Sequence, residues 1–188
     1  MGFLKLLLAF APWLSFLVIA HGSMFRLELG LCVALALSII MGITGLHRGI
    51  ILWVGLAFFS ATTVLVMGFD NIWTVRHMGI LANSALAAGT WFGVFCRKPF
   101  TLSYAKEHNP REVWNSEPFL RSNMIISAAW SSAFTVNAVL AWMKLHQLYL
   151  SDFTYEIISY AILVGVAVFT QYYPAHLKRV AGLPNLSR

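Results

Sequence analysis

Six histidines, two cysteines and seven carboxylates are the side chains of widest chemical range in this 188-residue chain. Their spacing assembles no reaction centre. His21, His47, His77, His108, His146 and His176 all fall at the ends of apolar segments or between them. Haem between membrane helices needs axial ligands facing each other inside the helices. Cys32 and Cys96 make neither a metal-ligand spacing nor a disulfide framework, and they read as small apolar filler. There is no H-E-x-x-H, no G-x-S-x-G and no glycine-rich phosphate loop. Glu107 and Glu112 lie close to Arg111, but Pro110 separates them and works against a shared helix face. The sequence nominates no catalytic residue, no metal and no cofactor, so a non-enzymatic protein is expected.

The uncharged polar residues offer binding rather than bond-making. Asn83, Asn123 and Asn137 sit within or beside long apolar stretches, among serines and threonines. In hydrocarbon such groups bond to their own helix or bridge to a neighbour, typically contributing about 0.6 kcal/mol per bond. The three asparagines are the candidate interhelical polar contacts. Small residues recur at intervals of four, as in Gly89-xxx-Gly93, Ala128-xxx-Ser132 and Ala129-xxx-Ala133. That spacing lets helix backbones approach closely, at the centre of a bundle or at a dimer seam.

The elements that position these groups follow from the charges. Only 11% of residues are charged and 59% are apolar, against about 25% charged in a soluble domain. Six runs carry no charge: 6–25, 29–47, 49–69, 77–96, 122–143 and 157–177. Each is close to the roughly 20 residues a helix needs to cross a hydrocarbon core. The expected fold is an all-α integral membrane protein of six transmembrane helices, one polytopic domain over residues 1–188. The first run, with Pro12-Trp13 at its centre, is expected to be a retained helix rather than a cleaved leader. No run holds Asp, Glu, Lys or Arg, which argues against proton pumps, ion exchangers and voltage sensors.

Orientation follows from the cations. With the N-terminus inside, the cytoplasmic side holds Lys5, Arg48, Arg97, Lys98, Lys106, Arg111, Arg121, Lys178, Arg179 and Arg188. The other side holds Arg26, Arg76 and Lys144. Cytoplasmic loops carry the excess of Lys and Arg, so both termini are expected in the cytoplasm. Trp53, Trp91, Tyr172 and Tyr173 read as an inner interfacial belt. Trp73, Trp142, Tyr149 and Tyr155 read as the outer one.

One connection is long. Residues 97–121 concentrate eight charges and three prolines. Lys98, Pro99, Phe100, Tyr104, Lys106, Pro110, Arg111 and Trp114 form the candidate partner- or lipid-binding loop, since mixed cations and aromatics suit a segment in the interface. Asn109-Pro110-Arg111-Glu112 predicts a short helix with Asn109 as cap, Pro110 first and Glu112 third. Ser116-Glu117-Pro118 predicts a second helix start, leading into the fifth span. Gly182-Leu183-Pro184 reads as a frayed tail.

The order of these features resembles the intracellular septation protein A family of bacterial inner-membrane proteins. Lys98, Pro99, Pro110, Val113, Trp114, Asn123, Trp130 and Asn137 carry the resemblance. The chain departs from that pattern where Ser116–Arg121 intervenes, in the wider gap from Asn123 to Trp130, and before the last span. The resemblance implies a non-enzymatic inner-membrane scaffold in cell-envelope or septum maintenance. Expected partners are membrane lipid and other membrane proteins or a second copy, and not nucleic acid. The alternative is a small carrier for a neutral solute or lipid. A polar cavity at midplane favours the carrier, a dry bundle the scaffold.

Overall fold

The computed structural model describes residues 8–45, 49–107 and 109–180, with side chains described up to Pro174. Leu46, His47, Arg48, His108, Lys5 and the tail beyond Val180 lie outside the described residues. Among those described every regular element is helical. Helices suit apolar runs because each backbone group is bonded within its own segment.

Helix α1 spans Ala11–Ile19 and holds Pro12 in its first turn, where a missing N–H leaves no bond unmade. Pro12, expected at mid-span, therefore starts this helix. Helix α2 spans Met24–Ile43, and Ser23 caps it by accepting from the Arg26 N–H at 3.3 Å. That cap moves the start ahead of the charge-free run and takes Arg26 and Glu28 into the helix. Helix α3, Ile50–Thr63, runs into a wider π-turn over Val64–Gly68. Asn71 caps the short α4, Ile72–Arg76, by accepting from the Thr74 N–H at 2.9 Å. Helix α5 spans Met78–Phe95.

Helix α6, Thr101–Lys106, and a 3-10 turn over Arg111–Val113 make up the long connection. Helix α7 spans Glu117–Leu145, with Pro118 in its first turn as expected. Its 29 residues measure about 44 Å, longer than a hydrocarbon core. Helix α8, Asp152–Val180, continues through Pro174. Among the described residues five helical segments are long and apolar enough to cross a membrane: Met24–Ile43, Ile50–Gly68, Met78–Phe95, Glu117–Leu145 and Asp152–Pro174.

Aromatic side chains fill much of the interior. Phe10 stacks on Trp130 at 5.2 Å and meets Phe100 edge-on at 6.0 Å. Trp13 lies 4.8 Å from Phe59, whose side chain is fully buried. Gly89 lets α5 approach α3 so closely that a Cβ there would stand 2.4 Å from Val54 Cγ2. Gly79 faces Ala141 of α7. Large apolar side chains such as Ile43, Phe95, Val164 and Val168 are exposed on the outside, where a bilayer would solvate them.

Candidate functional site

The connection between α5 and α7 is folded against the bundle. Helix α5 ends in a Schellman motif: the Lys98 N–H bonds to the Gly93 carbonyl at 2.8 Å and the Arg97 N–H to that of Val94 at 3.0 Å. Arg97 takes the left-handed conformation this requires, with φ +55°. The turn directs Pro99 and Phe100 inward. Thr101 then ties α6 to α7. Its hydroxyl lies 3.0 Å from the Asn123 carbonyl and 2.9 Å from Ser127 Oγ, with all three residues buried. Tyr104 is buried on the next turn. Burial first, and then the Glu107 carboxylate, hold its phenol well above the ordinary tyrosine range.

The predicted cap at Asn109 is not formed. The Asn109 side-chain amide donates back to the Ala105 carbonyl at 2.7 Å, satisfying a terminal acceptor of α6. Pro110 is extended, with ψ 149°, so it precedes the 3-10 turn instead of starting a helix. Trp114 Nε1 donates to the Asn109 carbonyl at 2.8 Å. Lys106 Nζ and Arg111 Cζ stand 5.4 and 5.7 Å from the Trp114 ring, within cation–π range.

The eight loop candidates therefore divide. Pro99, Phe100 and Tyr104 are buried, whereas Lys98, Pro110 and Arg111 are exposed and Lys106 and Trp114 half-buried. Lys98 and Lys106 line one groove of about 310 Å³, with Ile50, Phe92 and Leu102 among its apolar walls.

The asparagines divide too. Asn83 and Asn123 donate to Gly79 and Phe119, four residues back in their own helices, at 2.8 and 2.9 Å. A carbonyl of the preceding turn is always within reach, and this local bond wins. Only Asn137 crosses between helices by its side chain, donating from Nδ2 to the Ser159 carbonyl at 3.4 Å. Two tryptophans make further interhelical bonds. Trp91 Nε1 donates to Thr135 Oγ1 at 3.1 Å, and Trp130 Nε1 to Thr170 Oγ1 at 2.9 Å. Tyr155, expected in the outer belt, is 1% exposed and donates its hydroxyl to the Leu148 carbonyl. An indole or phenol donor needs a partner when buried, and threonines one helix away were the available signal.

A cavity of about 520 Å³ opens at the end of the bundle opposite the long connection. Phe16, Leu27, Met78 and Leu140 give it apolar walls, and Asn83, Asn137, Ser159 and Tyr160 give it polar ones. At its mouth Lys144 Nζ pairs with Glu156 Oε1 at 2.6 Å, and Tyr160 Oη lies 3.3 Å from His21 Nε2. Among the described residues no three His, Cys, Asp or Glu side chains come together as a metal site. Neither family models, nor curated proteins, nor solved structures give a match to this chain. The likeness to septation protein A thus rests on the residues quoted for it.

Proposed function

We propose that this chain is a six-span protein of the bacterial inner membrane, a non-enzymatic scaffold of the cell envelope that holds anionic lipid at its cytoplasmic face. The groove between Lys98 and Lys106 carries this reading. Two cations over an apolar floor suit a phosphate headgroup with its acyl chains lying against the bundle. Burial of Phe100 and Tyr104 withdraws two aromatics from docking a protein partner and leaves the cations and Trp114 at the surface. The cation asymmetry supports cytoplasmic termini. Pro12, Trp13 and Phe16 pack into the interior, which supports counting the first apolar run as a sixth span. The role at the septum rests on the family resemblance alone.

The test replaces Lys98, Lys106 and Arg111 by Gln together. Each cation near an anionic surface contributes about 1 kcal/mol. The variant is expected to insert normally but to keep several-fold less phosphatidylglycerol and cardiolipin after detergent exchange, measured by mass spectrometry of the purified protein. Equal retention by both forms would remove the lipid reading. The carrier alternative is favoured by one observation, the polar-walled cavity at the other end.

A further inference from the structure

We infer that the cavity between α1, α2, α5, α7 and α8 is a binding site for a neutral amphiphile, a molecule with an uncharged hydroxyl headgroup on an apolar body. The inference stands apart from the lipid groove at the other end of the bundle. Its starting point is Asn137, which is 2% exposed and lines the cavity about 10 Å below Lys144 along α7. Its Oδ1 is buried and accepts no hydrogen bond among the described residues. The assignment of the amide follows from its surroundings. The other amide atom faces the Ser159 carbonyl, which only accepts, so that atom is the nitrogen and the unmatched one is the oxygen. Thr63 Oγ1 is the one other such atom among the described residues, and it lines neither cavity.

The chemistry of the occupant follows from what the walls supply. A buried acceptor calls for a donor, an O–H or N–H on the ligand. Asn83 already gives its amide nitrogen to Gly79, so its oxygen is a second acceptor on the same wall. The only opposite charges in the lining, Lys144 and Glu156, are paired with each other at 2.6 Å. An ionised headgroup would enter without a counter-charge and lose its hydration, which a neutral hydroxyl does not. Leu27, Met78 and Leu140 offer the body of the ligand an apolar bed. The volume lies within the roughly 300–1,000 Å³ of sites that hold small molecules.

The experiment uses the full chain in phosphatidylcholine nanodiscs, whose headgroups bear no donor, with native mass spectrometry as the readout. The probes are 1-octanoylglycerol, its phosphate ester and glycerol. One equivalent of 1-octanoylglycerol is expected to bind saturably, and at least about tenfold more tightly than either other probe. Asn137→Leu is expected to weaken that binding by about tenfold, because it removes the unmatched acceptor, and to lower the thermal transition only by the share of the Nδ2 bond to Ser159. Leu140→Trp, which fills the cavity and keeps every polar group, is expected to abolish it. The inference is overturned if no probe saturates, as for a cavity holding water only, or if the phosphate ester or glycerol binds as well. It is equally overturned if Asn137→Leu lowers the thermal transition and leaves binding unchanged, the behaviour of an asparagine that only ties helices together.

Discussion

The hydroxyls of Thr101 and Ser127 meet at 2.9 Å across 26 positions of sequence, and Ser127 is fully buried. This contact joins the first turn of α6 to α7 and holds the long connection against the bundle. Thr101→Val keeps the shape but removes the hydroxyl that pairs with Ser127 Oγ and donates to the Asn123 carbonyl. Each hydrogen bond lost typically costs about 0.5–1.5 kcal/mol. We expect Thr101→Val to lower the thermal transition in detergent, and Thr101→Ser to retain most of the stability. Equal transitions for the valine variant and the parent would show that the contact is not a tie.

Much of this fold was legible because a bilayer imposes a simple grammar. Charges must leave the hydrocarbon, so charge-free runs marked α2, α3, α5, α7 and α8. The start of α2 was less legible, because Ser23 caps it ahead of Arg26 and Glu28, the last charges of that boundary. Pro110 misled for a local reason. Asn109 had two possible uses, capping the next helix or closing the previous one, and the Ala105 carbonyl won. The cavity was not readable at all. Asn137 was marked as a polar contact, yet only the approach of α8 shows that its oxygen is left over.

A pH effect follows from Tyr104. Its phenol is kept neutral by burial in the folded chain, while in the unfolded chain it ionises near its ordinary value of about 10. This contribution to stability is fully present below about pH 10 and is lost as pH rises from there toward the higher folded value. Tyr104→Phe cannot ionise. The stability difference between parent and variant should therefore be constant below pH 9.5 (about half a unit under the ordinary value) and shift against the parent above it. Chemical denaturation at a series of pH values measures this, and a constant difference through pH 11 (about a unit above that value) would contradict it.

Arg97 occupies the left-handed position of the Schellman motif, where glycine is the usual residue. A side chain there costs about 1 kcal/mol relative to glycine. Arg97→Gly should raise the thermal transition although it removes a surface cation. Arg97→Ala removes the same charge and keeps the strain, so it should not. Parallel transitions for the two variants would assign any gain to charge instead of backbone.

Sidedness can be checked by placing single cysteines at Ser103 and Asp152, which lie at opposite ends of the bundle, in a variant lacking Cys32 and Cys96. The cation asymmetry puts Ser103 inside and Asp152 outside. In intact cells a membrane-impermeant maleimide should label only Asp152→Cys, and both positions after permeabilisation. Labelling of Ser103→Cys in intact cells would invert the arrangement, and with it the cytoplasmic placing of the Lys98–Lys106 groove.

The close approach of α3 and α5 at Gly89 offers a sharp packing test. A Cβ at Gly89 would stand 2.4 Å from Val54 Cγ2 and 3.5 Å from Val54 Cβ. Valine is stiff at χ1, so the clash cannot be relieved by swinging a long side chain away. Gly89→Ala should therefore cost about 1–3 kcal/mol, the usual range for overpacking. The helix propensity of alanine, better by about 1 kcal/mol, offsets part of this. Val54→Ala alone should also destabilise, because it opens a gap beside Gly89. Combined, the two changes fill and empty the same space, so the double variant should be more stable than the sum of the single effects predicts. A coupling of at least about 0.5 kcal/mol marks residues in contact. Strict additivity of the two thermal shifts would mean that α3 and α5 do not meet at Gly89 and Val54.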